Sequence, residues 1–240
     1  MSSSLEYTKE RQLELWGNYN KILSQINSIS EENNISRSIK LLPVTKFKPA
    51  SDIKALYDLG LREFGENYVQ ELLIKSELLP KDIKWHFIGG LQSNKPKDLK
   101  IIKNLTVETI DSLKKAKKLN ESRIELTDIY LQINVSNEDQ KYGISLNNLN
   151  ELDEIIEFII KSCQFLNLKG LMCIGSISQS QISNDINPDF EKLQNLQSIL
   201  NSKYQINLQL SMGMSSDFKQ AIKQGTSLIR IGTDIFGSRP

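Results

Sequence analysis

The sequence is poor in the side chains that bind metals or form disulfides. Its 240 residues include a single histidine, His86, and two cysteines, Cys163 and Cys173, without a C-x-x-C spacing. A histidine-rich metal site is therefore excluded, and a catalytic triad that needs histidine is disfavoured. The amino terminus also lacks the charged and apolar regions of a signal peptide. These absences predict a reduced, metal-free protein in the cytoplasm.

Long apolar runs and an excess of charge of one sign are also absent. No apolar segment approaches the roughly 18 residues that a membrane-spanning helix needs. The 30 lysines and arginines balance 29 aspartates and glutamates, so the formal net charge is only +1. A protein that binds nucleic acid usually carries a basic excess or stripe. We therefore expect neither a membrane nor a nucleic acid as the partner.

What the sequence does contain is an alternation of short apolar segments with amphipathic ones. Eight segments are predicted to be strands: 39–46, 62–67, 83–88, 105–110, 129–135, 166–174, 206–210 and 228–231. Each but the last is clearly followed by a predicted helix. A further amphipathic helix is predicted over 5–29, and the Ser/Asn-rich segment 175–188 is predicted to be a mobile loop.

No linker divides these units, so a single domain over residues 1–240 is predicted. The expected fold class is α/β, a single (β/α)8 TIM barrel with an extra N-terminal helix. An open doubly wound sheet is the alternative. The sequence offers that alternative no G-x-G-x-x-G or Walker loop.

The first predicted strand ends in Lys46. Its apolar residues show no polar alternation, which is typical of a strand covered on both faces. A short loop follows, and Ser51 and Asp52 are predicted to cap the next helix. Lys46 is therefore expected at the carboxyl end of a strand, where parallel α/β folds gather their functional residues. A lysine there is either a solvated surface residue or, when partly desolvated, a nucleophile that forms a Schiff base.

Two stretches near the carboxyl terminus suit a phosphate group. In 211–215 a predicted strand runs into a glycine turn and a helix N-terminus, where backbone N–H groups, the helix dipole and hydroxyl groups converge. In 230–233 the last strand ends in a Gly-Thr pair with similar donors. Each stretch alone is equally compatible with an ordinary capped turn. Together they predict a phosphate cup beside the last two strands of a barrel, across the mouth from Lys46.

A lysine that can form a Schiff base, a phosphate cup and Arg230 together suggest pyridoxal 5′-phosphate (PLP). Over nearly its whole length, the sequence resembles the pyridoxal phosphate homeostasis proteins, relatives of the barrel domain of alanine racemases. The matching motifs are VTKFKP (44–49), FGENYVQE (64–71), WHFIGGLQSNK (85–95), KYG (141–143), GLMCI (170–174), LSMGMSSD (210–217) and RIGTDIFGSR (230–239). The resemblance implies a (β/α)8 barrel of the alanine racemase N-terminal domain type.

The resemblance also implies a role for each matching position. Lys46 would hold PLP through a Schiff base, and Arg230 would approach the pyridine nitrogen. Lys141 matches a lysine suspected of assisting cofactor transfer. The other implied cofactor-binding residues, most of them for the phosphate, are Asn67, Ser211, Met212, Ser215, Gly232 and Thr233. Three positions at the pocket rim depart from common family forms: Phe47, Gly90 and Cys173.

Three functions remain open. The leading hypothesis is a monomeric PLP carrier or homeostasis protein without catalytic turnover, with PLP-dependent apo-enzymes as recipients. The second is a small PLP-dependent amino-acid racemase, which would need another acid/base group. The third is a barrel that binds some other phosphorylated metabolite, with Lys46 as a mere charge partner.

Two expectations weigh against the racemase. An arginine at the pyridine nitrogen weakens the cofactor as an electron sink. The chain ends just after its last strand, so we expect no second domain of the kind that supplies a tyrosine in similar racemases. The acid/base candidates near the predicted mouth are Tyr68, His86, Lys95, Lys141 and Tyr142.

Overall fold

The computed structural model of the protein describes residues 5–138, 140–180 and 186–238. Its strands are β1 (Lys40–Pro43), β2 (Glu63–Glu66), β3 (Lys84–Phe87), β4 (Leu105–Ile110), β5 (Thr127–Asn134), β6 (Ile144–Ser145), β7 (Leu166–Met172), β8 (Gln209–Ser211) and β9 (Leu228–Ile231). Its α-helices are α1 (Lys9–Glu32), α2 (Ala50–Tyr57), α3 (Val69–Leu78), α4 (Leu113–Ser122), α5 (Leu149–Ser162), α6 (Ile177–Ser180), α7 (Pro188–Tyr204), α8 (Phe218–Lys223) and α9 (Thr233–Phe236). A 3₁₀ helix, Pro96–Ile101, follows β3.

Eight of the strands form one parallel sheet that nearly closes into a barrel. Their order is β1-β9-β8-β7-β5-β4-β3-β2, and the short β6 pairs with β5 outside this path. The two ends of the sheet meet where the Thr45 N–H donates to the Gly65 carbonyl oxygen at 2.8 Å. Side chains also meet across the interior, since Ser211 on β8 donates to Glu108 on the non-adjacent β4. The predicted (β/α)8 barrel is confirmed.

The apolar faces of the helices form the outer layer of the hydrophobic core. Helix α5 buries Leu152, Ile155, Ile156 and Ile159, whose spacing places them on one face. Facing residues on the outer side of the strands, such as Trp85, are buried against these helices. The extensive apolar core therefore lies between the sheet and its helices, which leaves the barrel mouth free for polar groups.

Helix α1 packs its apolar stripe onto the barrel. It buries Leu15, Ile22 and Ile26 and lies against α2, α8 and α9. The buried part of this stripe therefore covers the barrel. No helix in the described part of the chain is long and apolar enough to cross a membrane.

Several local predictions differ from the structure. The predicted cap of α2 at Ser51 and Asp52 is wrong, because the helix already begins at Ala50 after the extended Pro49, and Asp52 binds Arg11 instead. The two-residue strand β6 was not predicted, since it is too short to show a periodic pattern. Within the predicted loop 175–188, α6 is helical, and residues 181–185 lie outside the described residues.

Candidate functional site

A cavity of about 270 Å³ opens at the carboxyl ends of the strands, close to the lower end of the range for small-molecule pockets, roughly 300 Å³. Lys46 reaches it because β1 continues in hydrogen bonds after Pro43, from the Val44 N–H to β9 and the Thr45 N–H to β2. The lining residues are Val44, Lys46, Asn67, Ile88, Met172, Ile174, Met214, Ser215, Ser216, Arg230, Gly232 and Thr233. The barrel mouth therefore presents a lysine beside a wall of hydroxyl groups.

The turn after β8 brings two serines to the cavity. Gly213 has φ +100°, and a side chain there would also bring a Cβ atom within 2.7 Å of the Ala221 Cβ atom. The Met214 N–H then donates to Asp217 Oδ1 at 2.7 Å, which fixes the turn. Ser215 and Ser216 follow and line the cavity.

The segment after β9 completes this wall. Gly232 precedes α9, which starts at Thr233, and both residues line the cavity. The first N–H groups of a helix have no acceptor within the helix, so they are available to an anion. Hydroxyl groups of Ser215, Ser216 and Thr233 thus lie around one wall with backbone donors, as the phosphate-cup prediction requires.

Asn67 lines the cavity and has a buried polar atom, Oδ1. Its N–H donates to Glu66 Oε1 at 2.8 Å. Its carbonyl oxygen lies so close to Gly89 that a Cβ atom there would be 1.8 Å away, so only glycine fits. Asn67 Oδ1 is buried, and it has no hydrogen-bond partner among the residues that the structure describes. A buried acceptor without a donor costs free energy, which a ligand that donates a hydrogen bond would recover.

Arg230 lies at the floor of the cavity and is held on two sides. It is 3% exposed, and it donates to Ser211 Oγ at 2.6 Å and to the Cys173 carbonyl oxygen at 2.7 Å. Ser211 Oγ in turn donates to Glu108 Oε2 at 2.5 Å. These contacts fix the plane of the guanidinium group.

A chain of charged groups continues below Arg230. His86 lies 2.6 Å from Glu108 and 3.2 Å from Glu63. Burial disfavours the charged imidazole ring, but the two carboxylates outweigh it and raise the pKa of His86. Burial likewise opposes the charge of Glu108, yet the contacts with His86, Arg230 and Ser211 together outweigh it and lower the pKa of Glu108. Glu108 therefore lies between two basic side chains, His86 and Arg230, and supports the cation Arg230 from below.

Most of the predicted cofactor-binding residues line this cavity: Lys46, Asn67, Ser215, Arg230, Gly232 and Thr233. Ser211 and Met212 are not in the lining. Ser211 is fully buried beneath Arg230 because its hydroxyl group bridges Arg230 and Glu108, and Met212 is buried in the apolar core. Lys141 also lies outside the lining and pairs with Glu138 at 2.6 Å.

Sequence reasoning missed Ser216 in the wall and Glu108 below the floor. Ser216 lies one residue beyond the stretch 211–215 that was predicted to bind phosphate. Glu108 had a detectable signal, because it and Thr106 alternate with the apolar Leu105 and Val107 on β4. Period-two alternation inside a barrel strand indicates polar side chains that point to the interior.

Comparison with known proteins agrees with this geometry. Residues 23–240 match the family model described as alanine racemase, N-terminal domain. The chain is 46% identical over 222 residues to a pyridoxal phosphate homeostasis protein of Schizosaccharomyces pombe. The alignment covers 91% of this chain and 92% of the relative. The chain belongs to the pyridoxal phosphate homeostasis protein family.

Two solved structures are similar to this homeostasis family protein over most of its length. A protein of unknown function from Bifidobacterium adolescentis is 27% identical with a TM-score of 0.84, over 96% of this chain and 98% of that one. PipY of Synechococcus elongatus, solved with PLP bound, is 30% identical with a TM-score of 0.70, over 88% of this chain and 100% of PipY. The family thus includes a member whose structure contains PLP.

Proposed function

We propose that this protein binds PLP reversibly in the cavity at the barrel mouth and buffers or carries it, which maintains vitamin B6 and amino-acid homeostasis. One observation carries the proposal: Lys46, the hydroxyl wall, Asn67 and Arg230 all line a single cavity. The relatives named for PLP homeostasis and the PLP-bound PipY support the same ligand.

The lining fits the chemical groups of PLP. PLP supplies an aldehyde and an electron-withdrawing ring. The neutral Lys46 amine adds to the aldehyde carbon, and loss of one water molecule leaves a reversible C=N bond. Ser215, Ser216, Thr233 and the Gly232 backbone would hold the phosphate. Arg230 would donate to the pyridine nitrogen.

Two further assignments follow from the positions of the side chains. Asn67 Oδ1 would accept a hydrogen bond from the ligand, which satisfies a buried atom. Ser211 would act on the cofactor through Arg230 rather than on the phosphate, because its hydroxyl group already binds Arg230 and Glu108. Met212 would act through the backbone of the turn, since its side chain is buried in the core.

The lining favours a carrier over a racemase. A racemase needs an acid/base group on each face of the substrate carbon. Among the described residues of the lining, Lys46 and Arg230 are the ionisable ones. His86 lies buried beneath Glu108, and Lys141 is paired with Glu138 outside the lining.

We also propose that the protein is a monomer of the cytoplasm and that PLP-dependent apo-enzymes receive its cofactor. Both Cys163 and Cys173 are free thiols, as is usual in a reducing compartment. An accessible lysine at a cavity mouth lets an incoming amine displace Lys46 from the cofactor.

The test is a titration of the purified protein with PLP, followed by incubation with L-alanine and D-alanine. We expect a visible absorption band that saturates at one PLP per chain and no interconversion of the two alanines. Lys46→Ala is the matched control and should lack the band. A protein that takes up no PLP would contradict the binding proposal, and interconversion of the alanines would move the protein to the racemase class.

A further inference from the structure

A buried ion cluster holds the loop that carries Lys46. The Lys75 amine donates to Glu66 Oε2 at 2.7 Å and to Glu71 Oε2 at 2.8 Å. The Lys75 and Glu66 side chains are 1% and 0% exposed, and that of Glu71 is 9% exposed. Glu66 lies on β2, and Glu71 and Lys75 lie on α3. None of the three is in the cavity lining.

The cluster binds the backbone on both sides of Lys46. Lys75 also donates to the Thr45 carbonyl oxygen at 2.8 Å, one residue before Lys46. Glu71 Oε2 accepts from the Phe47 N–H at 3.0 Å, one residue after Lys46. Lys46 therefore sits between two backbone groups that a single buried cluster fixes.

The residue after Lys46 has a conformation that needs such support. Phe47 has φ +61°, in the left-handed region that bulky side chains rarely adopt. A strained conformation of this kind persists only where its surroundings impose it, and it is frequent at functional sites. The hydrogen bond from the Phe47 N–H to Glu71 stabilises it here, together with a turn in which the Lys48 N–H donates to the Thr45 carbonyl oxygen at 3.0 Å.

The stability of the fold does not explain why this cluster is built from charged side chains. Burying an ion pair costs about as much desolvation as its attraction returns, and apolar replacements are often as stable. Burial raises the pKa of Glu66, an effect that the Lys75 ammonium group opposes. Apolar side chains could fill this space, but they could not bind a carbonyl oxygen and an N–H group on either side of one residue.

We propose that Glu66, Glu71 and Lys75 form a positioning clamp that holds the Lys46 backbone so that its amine faces the cavity. This inference rests on the proposed function, since it assigns the clamp to the bond between Lys46 and PLP. Lys75 and Glu71 are positioning residues: they act through the Thr45–Phe47 backbone and do not line the cavity.

Glu71→Ala is the sharpest test, because it removes the acceptor of the Phe47 N–H and leaves the ion pair between Glu66 and Lys75 in place. We expect covalent capture of PLP to slow by about tenfold to a hundredfold, the cost of a misplaced reacting group. Affinity for pyridoxine 5′-phosphate, which has no aldehyde, should stay within about twofold because the phosphate cup is untouched. Glu71→Gln keeps the acceptor and should retain the wild-type rate.

Two further variants separate positioning from general destabilisation. Adding Phe47→Gly to Glu71→Ala should restore part of the rate, since glycine adopts positive φ without strain. Arg123→Met is the matched control, because Arg123 is also a buried cation that binds backbone carbonyl oxygens, those of Leu99 and Ile102. It should lower stability and leave the capture rate unchanged.

Two results would overturn the clamp. One is an unchanged capture rate in both Glu71→Ala and Lys75→Met. The other is an equal loss of PLP and pyridoxine 5′-phosphate binding. If the wild-type protein captures no PLP, the proposed function fails, and ligand-free crystal structures still decide the clamp: Phe47 should leave positive φ in Glu71→Ala and keep it in Glu71→Gln. Positive φ retained in Glu71→Ala would contradict the inference.

Discussion

The guanidinium group of Arg230 shows how single residues build this site. Two acceptors, Ser211 Oγ and the Cys173 carbonyl oxygen, hold it in place. Arginine has five N–H donors in a rigid plane, so fixing two of them orients the rest. Glu108 accepts from Ser211 and places a negative charge close to the cation. Arg230 is thus pre-oriented for a ligand acceptor before any ligand binds.

A first prediction concerns the residues proposed to hold the phosphate. Replacing Ser215 and Thr233 together with alanine should weaken PLP binding by about a hundredfold or more, because each of the two hydrogen bonds to a charged group contributes about 1.5–3 kcal/mol. Binding of pyridoxal, which lacks the phosphate, should change far less. Dissociation constants of both ligands, measured by absorbance titration, check this.

Ser211→Ala provides the contrast for that experiment. Because Ser211 binds Arg230 and Glu108, its loss should weaken PLP and pyridoxal by similar factors and alter the absorption spectrum. Equal losses of both ligands in the Ser215/Thr233 double variant would remove the phosphate-cup assignment. If Ser211→Ala weakens PLP binding far more than pyridoxal binding, Ser211 would instead be assigned to the phosphate.

At the scale of elements, hydrogen bonds join α1 to the helices that follow the first and the last strand of the barrel. Arg11 on α1 donates to Asp52 on α2 at 2.7 Å and to the Phe236 carbonyl oxygen at the end of α9 at 3.0 Å. Asn18 donates to the Ile235 carbonyl oxygen at 3.0 Å. These bonds tie α1 to α2, which follows the Lys46 loop, and to α9, which begins at Thr233 in the cavity lining.

Arg11→Ala should therefore destabilise the protein by about 1–3 kcal/mol, since Asp52 is buried and loses its charged donor. Urea unfolding measures this as a lower midpoint with an unchanged slope. Glu14→Ala is the matched control, because Glu14 is exposed and also pairs with Arg11, and it should change stability by less than about 1 kcal/mol. Equal effects of the two substitutions would contradict the role of the buried contact.

The sequence predicted elements well where periodicity was long. Helix α5 repeats its apolar residues over four turns, and β4 was predicted with the same bounds, Leu105–Ile110. The cap of α2 could not be predicted, because Asp52 has the side chain of a good cap but binds a helix that is distant in sequence, α1. Such tertiary partners override local preferences.

At the scale of the whole molecule, a row of polar groups crosses the barrel. It runs from Glu63 through His86 and Glu108 to Ser211 and Arg230, on five different strands. Acidic and basic side chains alternate along this row, and the Ser211 hydroxyl group links Glu108 to Arg230. This row connects the cavity floor with the interior and couples the stability of the fold to pH.

Stability should fall on both the acid and the alkaline side. The hydrogen bond with His86 lowers the pKa of Glu63 to about 2, so its stabilising effect is present above about 4.5, the ordinary value, and is lost as pH falls toward 2. The pKa of His86 is raised, so its effect is complete below about 6.5 and is lost as pH rises through the folded-state value.

Urea unfolding over a pH series checks this prediction. The free energy of unfolding should be greatest between these two regions. His86→Gln should flatten the alkaline decline while the fold, monitored by circular dichroism, persists. An unchanged alkaline decline in His86→Gln would show that another group causes it.

For the site, the sequence indicated residue types but not their partners. Lys46, Asn67 and Thr233 were identified by motif and position at strand ends, and they do line one cavity. Ser211 stands in the same motif as Ser215, but its place in the row below Arg230 depends on Glu108, 103 residues away in the sequence. Contacts across a barrel interior leave no local pattern from which to predict them.

Borohydride reduction of the PLP-loaded protein, followed by peptide mass spectrometry, tests the central claim most directly. Borohydride converts a C=N bond to PLP into a stable secondary amine and so marks the lysine that formed it. We predict one phosphopyridoxyl group per chain, on the peptide that contains Lys46. A protein without the mark, or one marked at Lys141 with Lys46 unmodified, would contradict the account.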